Sequence, residues 1–282
     1  MSRNSNSKAI IKRLMKNKAA MFGLALFIIL IFLSLLSPFI MKYSYFEMNP
    51  SAMLEGPSWE HPFGTDDLGR DVLSRILYGG RFSLSIGILS VVVALSISIV
   101  VGSIAGYFGG KIDNIIMRLL DIIQSVPGIL LTIAISSAFG SGFDKTVLAI
   151  GLAQIPSFAR ILRAAIMNIR KMEYLEAAEA IGAKRYRIIF VHVLPNAMAP
   201  LIVSATMLIA NTMLIAASLS FVGLGVQPPT PEWGAMLSAG RAYIRDYPHL
   251  VIFPGLFIAL TVLGLNMFGD GLRDACDPKL KN

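Results

Sequence analysis

Hydrophobic positions in this chain are grouped into long uncharged blocks, and polar positions lie between them. A helix that crosses a bilayer needs about 20 predominantly apolar residues, because it rises 1.5 Å per residue through a hydrocarbon core of about 30 Å. Six blocks reach or approach this length. The pattern predicts six transmembrane helices, within residues 19–41, 82–110, 118–143, 146–159, 197–221 and 250–269.

Two of the predicted spans contain residues that are unusual in a membrane helix. The third carries Asp121 near its inner end and Pro127, which lacks a backbone donor and predicts a kink. The fourth has only 14 uncharged residues. We therefore expect its helix to continue through Arg160 and Arg163 into the inner interface, with the arginine stems lying along apolar surface. Pro156 is a second candidate kink.

The distribution of Lys and Arg predicts the topology, because these residues concentrate in cytoplasmic loops. With both termini cytoplasmic, 18 of the 25 Lys and Arg residues fall in inner segments and 7 in outer segments. The predicted organisation is a cytoplasmic N-terminal segment and one six-helix domain, residues 1–18 and 19–282. Within the domain we expect two outer segments and one basic inner segment, residues 42–81, 223–249 and 160–196.

The composition agrees with an all-α, polytopic membrane protein. Hydrophobic residues make up 55% of the 282 residues and charged residues 15%, against about 25% charged residues in soluble domains. The mean hydropathy is +0.67. The net charge of +8 follows from the inner segments, so the expected partner of these charges is membrane lipid and not nucleic acid.

Residues that catalyse reactions or bind metals are not arranged as sites in this sequence. His61, His192 and His249 are far apart, and none has a Cys or His at ligand spacing. The single Cys276 predicts a free thiol. Neither a Gly-x-x-x-x-Gly-Lys-Ser/Thr phosphate loop nor a Gly-x-Ser-x-Gly motif occurs. We predict that this chain is not an enzyme and holds no catalytic residue, metal or cofactor.

Ionisable residues are scarce within the predicted spans. The cores of the first, second, fifth and sixth contain no Asp, Glu, Lys, Arg or His, although ion-coupled transporters usually carry such residues. Asp121 is the one candidate for ion coupling, and we expect it instead to pair with Arg118 at the inner interface. Any transport would then draw its energy from outside this chain.

The pattern of the basic inner segment predicts two short helices joined by a glycine. Strong helix formers run from Glu173 to Ile181, Gly182 follows as a helix-ending residue, and a second helical run over residues 183–193 leads to Leu194-Pro195. Small residues at 177, 178 and 180 form a face that lets a helix lie close to a partner. A docking site for another protein is favoured over a solvated loop.

Four stretches resemble one family. Glu176-Ala177-Ala178, Gly182 after three intervening residues, and Leu194-Pro195 resemble the EAA loop of binding-protein-dependent ABC importer permeases, although His192 stands where the family usually has an aliphatic residue. Outer residues 61–75 and 220–234, and the tail at 269–278, resemble the C-type permease subunit of the dipeptide, oligopeptide and nickel branch. The resemblance runs from about residue 20 to the end.

The resemblance implies the partners of the chain. A homologous B-type permease would form the translocation pathway with it, two cytoplasmic ATPase subunits would bind ATP and Mg, and an extracytoplasmic binding protein would deliver substrate. The coupling loop, about residues 164–196, would seat in an ATPase groove. The implied location is a bacterial or archaeal inner membrane. The residues of the loop that would couple it to the ATPase are Glu173, Glu176, Ala177, Ala178, Gly182, Leu194 and Pro195.

The first outer segment supplies a second set of candidate residues. Its charged members lie at near-helical spacing, so they could pair among themselves as a structural cap or face the binding protein, and we favour the cap. The set is Gly64, Thr65, Asp66, Gly69, Arg70, Asp71 and Arg75, together with Asp67. In the second outer segment we expect a short helix over residues 232–245 and expect Trp233 to shape the loop or anchor it at the interface.

The substrate and the class leave alternatives open. Peptides are the commonest cargo of this branch, and nickel or a metal chelate is the alternative. Two alternatives belong to other functional classes: a secondary transporter coupled to ions, and a membrane anchor for a signalling complex. Dependence of uptake on ATP or on an ion gradient separates the first of these from an ABC importer.

Overall fold

The computed structural model describes residues 3–175, 182–184 and 187–276, with side chains from residue 10 onward. Within these ranges the protein is helical, and the β-structure found there is one isolated bridge between Thr65 and Asp71. The α-helices are α1 (Arg3–Lys16), α2 (Lys18–Leu35), α3 (Ser37–Ile40), α4 (Val72–Phe108), α5 (Gly110–Gln124), α6 (Gly128–Phe139), α7 (Phe143–Ile169), α8 (Leu194–Phe221), α9 (Trp233–Gly240) and α10 (His249–Cys276).

Five segments are long and apolar enough to cross a membrane, and a sixth is a bent pair. The five are α2, α4, α7, α10 and Ile188–Phe221, which contains α8. Helices α5 and α6 form the sixth span only if they are taken together, because they meet at 84°. The predicted kink at Pro127 is therefore a break between two helices. Proline cannot donate to the preceding turn, and it restricts the residue before it.

The second span is part of a helix that is longer than predicted. Helix α4 has 37 residues and begins at Val72, ten residues before the predicted block, so part of the first outer segment is helical. At 1.5 Å per residue it is about 55 Å long, which exceeds the hydrocarbon core. The first span is shorter than predicted, because α2 ends at Leu35 and a separate short helix with Pro38 in its first turn follows.

Helix α7 crosses α4 closely, and glycines on both helices permit this approach. A Cβ atom on Gly102 would lie 2.7 Å from the Ala159 carbonyl oxygen, and one on Gly151 would lie 2.8 Å from Cγ1 of Val93. Small residues let membrane helices pack in this way. The predicted extension of the fourth span is confirmed, since α7 continues through Arg160 and Arg163 to Ile169.

Candidate functional site

The structure describes part of the coupling loop, and its described residues lie where α7 ends and α8 begins. Glu173 is exposed at the start of a helical turn. Gly182 is also exposed and has φ of +79°, the left-handed conformation that favours glycine. Leu194 and Pro195 are half-buried in the first turn of α8. The predicted residues Glu176, Ala177 and Ala178 lie outside the described residues.

Both ends of the coupling loop are anchored in the membrane domain by buried apolar side chains. Leu175 precedes the undescribed residues, and Ile188 and Val193 follow them; all three are less than 5% exposed. They belong to one apolar cluster with Tyr107 of α4 and Ile166 of α7. Residues on both sides of the undescribed stretch are therefore packed against α4 and α7.

The second end of the loop enters α8 through a wide turn. Residues Ile188–Val193 form a π-helix directly ahead of Leu194. Pro195 has no N–H to donate, so the ordinary helical bond at that position is missing. Nδ2 of Asn196 donates to the His192 carbonyl oxygen at 2.6 Å and lies 3.4 Å from the Tyr174 hydroxyl. This amide joins the two ends of the loop.

The first outer segment packs its charged side chains against each other. Nε of Arg70 donates to Oδ2 of Asp66 at 2.7 Å, and Nε of Arg75 lies 3.4 Å from the same oxygen. Nη2 of Arg70 is 3.9 Å from Oδ1 of Asp67. Both arginine side chains are less than a tenth exposed. Pairing within the segment favours a structural cap over a surface that meets another protein.

Asp71 ties this cap to the membrane helix. Its Oδ2 accepts the Ser74 N–H at 2.7 Å and so caps the first turn of α4, while its Oδ1 lies 3.0 Å from Nδ1 of His61. A side-chain acceptor at this position satisfies a backbone donor that the helix leaves free. The cap and the start of α4 therefore form one unit.

Backbone geometry holds the same segment together. Gly64 and Gly69 have φ of +76° and +70°, and a Cβ atom on Gly69 would lie 1.9 Å from the Asn49 carbonyl oxygen. Oγ1 of Thr65 accepts the Glu55 N–H at 2.9 Å. The predicted glycines are thus needed for close backbone approach, and the predicted threonine joins the two arms of the loop.

Reversing the charge at Arg70 is expected to break the cap. Arg70→Glu places a carboxylate beside Asp66 and removes one of its two arginines, and removing one partner of a buried ion pair costs about 3–5 kcal/mol. We expect a clear drop in the thermal unfolding midpoint in detergent. Arg245→Glu, at an exposed residue of the other outer segment, should change the midpoint little. Equal midpoints for both variants would contradict the cap.

A buried carboxylate that the sequence analysis missed connects the second outer segment to the bundle. Glu232 is 2% exposed. It accepts hydrogen bonds at 2.8–3.0 Å from the hydroxyls of Ser83 and Ser220 and from the backbone N–H groups of Gly234 and Ala235. It therefore caps α9 and joins that helix to α4 and α8. Its position as the first residue of the short helix predicted over residues 232–245 was the available signal.

Trp233, the next residue, shapes this segment from inside. Its side chain is fully buried, so it is not an anchor at the membrane interface. Nε1 of Trp233 donates to the Ile76 carbonyl oxygen at 2.9 Å. A Cβ atom on Gly80, one turn along the same helix, would lie 2.9 Å from the Trp233 ring. The indole thus packs directly on α4.

Two ion pairs join α5 to the inner half of α7. Arg163 makes two parallel hydrogen bonds to the nearly buried carboxylate of Asp113. Nη2 of Arg160 donates to Oδ1 of Asp121 at 2.6 Å. The expectation that Asp121 pairs with Arg118 is wrong, because α7 lies against α5 here and presents its own guanidinium.

Two adjoining cavities open along α6 and α8. The apolar groove, of about 900 Å³, is lined mainly by apolar side chains of α6, α8, α9 and α10. The polar groove, of about 500 Å³, is lined by α5 to α8 and includes Gln124, Gln154 and Asn211. Both include Leu214 and Ser218. The signal for the polar groove was one carboxamide in each of the third, fourth and fifth predicted spans.

Comparison with known families decides the class of the protein. Residues 98–282 match the family of the binding-protein-dependent transport system inner membrane component, and residues 5–57 match the N-terminal transmembrane domain of oligopeptide transport permease C. The chain belongs to the binding-protein-dependent permease family. It is a multi-pass inner-membrane transport component and not an enzyme. The resemblance to a C-type permease of the peptide branch is confirmed.

Close relatives extend over almost the whole chain. The dipeptide transport system permease protein DppC of Alkalihalophilus pseudofirmus is 48% identical over 271 residues, which are 96% of this chain and 89% of the relative. The di/tripeptide permease protein DppC of Pseudomonas aeruginosa is 46% identical over 94% and 90%. The glutathione transport system permease protein GsiD of Pectobacterium atrosepticum is 43% identical over 96% and 90%.

Solved structures support the same fold. An inward-facing form of the MetNI methionine ABC transporter matches with a TM-score of 0.58 at 19% identity, covering 72% of this chain and 97% of that chain. An amino acid ABC transporter with histidines matches with a TM-score of 0.53 at 15% identity, covering 71% and 91%. The predicted all-α fold of a type I ABC importer permease is confirmed.

Proposed function

We propose that the chain is the permease subunit of an ATP-driven, binding-protein-dependent importer of di- and oligopeptides. It forms the translocation pathway with a homologous B-type permease. Two cytoplasmic ATPase subunits bind ATP and Mg and drive it, and an extracytoplasmic binding protein delivers the peptide. The dipeptide, di/tripeptide and glutathione names of relatives that match more than nine-tenths of the chain support this substrate class.

One observation carries the coupling part of the proposal. The two ends of the coupling loop are buried in the same cluster as residues of α4, α7 and α8. Closure of the ATPase pair on ATP would move the loop, and the packed side chains would pass that movement to the spanning helices. Coupling between distant sites requires such an element with two arrangements that both sites influence. Glu173, Glu176 and Gly182 are the proposed contact and corner residues.

The topology follows from the same assignment. We place both termini, the loop between the second and third spans and the basic inner segment in the cytoplasm of a bacterial or archaeal cell, since 18 of the 25 basic residues lie in these inner segments. The two outer segments then lie on the extracytoplasmic side of the membrane. The apolar groove, which continues into the polar groove through Leu214 and Ser218, is the face we assign to the second permease.

Co-purification tests the assignment. The tagged chain is extracted gently from its own host, and the proteins bound to it are identified. We expect a second permease and two ATPase subunits in stoichiometric amounts. A chain that purifies alone and whose flux follows an ion gradient would contradict the proposal, and a chain without any flux would favour a membrane anchor.

The peptide assignment is preferred to nickel for two reasons. The compared relatives carry peptide and glutathione names. Within residues 3–175, 182–184 and 187–276, no group of three His, Cys, Asp or Glu side chains could hold a metal ion. Competition between labelled dipeptide and a nickel chelate during uptake distinguishes the two cargoes.

Asp121 provides a test against ion coupling. Its carboxylate is about half exposed and is paired with Arg160, so the pair contributes little to stability, about 0–1 kcal/mol. We expect Asp121→Asn to change ATP-driven uptake by less than about threefold, in line with that small energy. Loss of uptake in Asp121→Asn, together with sensitivity of the wild type to ionophores, would support a coupled ion.

A further inference from the structure

Three carboxamides converge in the polar groove near the middle of the membrane. Gln154 lies 11 residues after the first residue of α7, and Asn211 lies ten residues before the last residue of α8. At 1.5 Å per residue, both are about 15 Å from the outer ends of their helices. Gln124 ends α5 at the break in the bent pair. All three line one cavity at a depth where lipid tails offer no hydrogen bonds.

The hydrogen-bonding capacity of these side chains is largely unused. Nε2 of Gln154 lies 3.5 Å from Oγ1 of Thr212, and Nε2 of Gln124 lies 3.5 Å from Oγ of Ser157, at the outer limit of a hydrogen bond. Asn211 is exposed, and its side chain makes no hydrogen bond within residues 3–175, 182–184 and 187–276. Because unpaired polar groups are costly in hydrocarbon, the groove must meet water, a polar solute or polar groups of another chain.

The chemistry of the groove matches a peptide bond. A carboxamide offers two N–H donors and a carbonyl acceptor, the same group types that a peptide backbone presents. No charged residue lines the groove in the described part of the chain. The nearest ion pair, Asp121 with Arg160, lies one turn further inward and is internally neutralised. The volume of about 500 Å³ is in the range of small-ligand sites.

We propose that Gln124, Gln154 and Asn211 form the surface on which this subunit contacts the backbone of a peptide during passage. The inference rests on the proposed function and specifies its substrate contact. Because the surface binds backbone amides and carries no charge, peptides with acidic, basic and neutral side chains pass with similar efficiency. A helix of the second permease is the alternative occupant, because Asn and Gln side chains also hydrogen-bond between membrane helices, and retention of that subunit by the variant complex distinguishes the two.

A charge placed in the groove tests the proposal. Asn211→Asp keeps the shape of the side chain and adds a negative charge at low dielectric, which attracts a basic peptide and repels an acidic one. The complete complex is reconstituted with its binding protein, and ATP-driven uptake of Gly-Lys, Gly-Gln and Gly-Glu is measured. Dividing each rate by the wild-type rate for the same peptide removes the preference of the binding protein. We expect the Gly-Lys to Gly-Glu ratio to rise about tenfold.

A second variant and a matched control complete the experiment. Gln124→Glu adds the charge at the exposed end of α5 and should shift the ratio in the same direction. Asn114→Asp makes the same chemical change on α5 at an exposed residue outside the groove, and its ratio should stay within about twofold of the wild type.

The outcomes separate this inference from the proposed function. An unchanged ratio in both groove variants, with normal assembly and ATPase activity, overturns the peptide contact and leaves the importer assignment intact. Loss of the second permease from purified Asn211→Asp complex also overturns it, since the carboxamide would then bind that subunit. Absence of ATP-driven peptide uptake by the wild type refutes the proposed function, and it refutes the peptide contact as well.

Discussion

Replacing Gly182 by valine is expected to reduce ATP-driven uptake at least tenfold while the protein still inserts in the membrane. Gly182 has φ of +79°, where a side chain costs about 1–2 kcal/mol and a β-branched one more. Among residues 3–175, 182–184 and 187–276, no atom lies within 4 Å of a Cβ at this position. The loss therefore arises from the backbone, which must leave the left-handed region and change the direction of the coupling loop.

Two variants isolate this cause. Gly182→Asn should keep most of the uptake, because asparagine tolerates the left-handed region. Gly56→Val changes an outer glycine whose φ is not positive and whose Cβ would likewise meet no atom of the described residues within 4 Å, and it should be neutral. Membrane content is measured by quantitative immunoblot beside uptake in vesicles. Normal uptake by inserted Gly182→Val would show that the glycine corner is not required for coupling.

Glu232→Gln is expected to destabilise the protein strongly although it changes one atom. Each carboxylate oxygen accepts one backbone N–H, from Gly234 or Ala235. Either orientation of a glutamine amide therefore turns its NH2 group toward a backbone N–H. One buried backbone donor loses its acceptor, which costs about 1–3 kcal/mol, and the remaining bonds to the serine hydroxyls lose their charge.

The thermal unfolding midpoint in detergent measures this effect. We expect a decrease of about 3–10 °C, since 1 kcal/mol corresponds to roughly 2–4 °C in a protein of about this size. Glu47→Gln is the matched control, because Glu47 is exposed and accepts one backbone N–H from Ser44. It should shift the midpoint by less than about 2 °C. Equal shifts for the two variants would contradict the role assigned to Glu232.

The hydrophobic pattern predicted the spanning segments well because lipid imposes one strong rule on them. Every backbone group in the hydrocarbon must be bonded internally, so long uncharged runs become helices. This rule anticipated the extension of α7 beyond the short fourth block. It could not anticipate that α4 would begin at Val72, because that start depends on the Asp71 cap and on the folded outer segment.

The features that the sequence did not predict depend on contacts between residues that are far apart in the chain. The predicted partner of Asp121 was Arg118, a neighbour in sequence. The observed partner, Arg160, lies on α7, and the approach of that helix to α5 cannot be predicted from the local sequence. Pro127 predicted a kink, but the structure has a break of 84° between two helices. The size of this angle depends on how α6 packs on α7, which the local sequence does not specify. The role of Glu232 was not predicted, because it depends on a hydrogen bond from Ser83, which is 149 residues away in the sequence.

ATP-driven uptake by the reconstituted complex tests the central claim most directly. Proteoliposomes containing this chain, its partner permease and the ATPase subunits receive labelled dipeptide with the binding protein, and ionophores collapse every ion gradient. We predict uptake that requires ATP and the binding protein and continues unchanged with the ionophores. Uptake that persists without ATP and stops when the gradients collapse would contradict the assignment of this chain as an ABC importer permease.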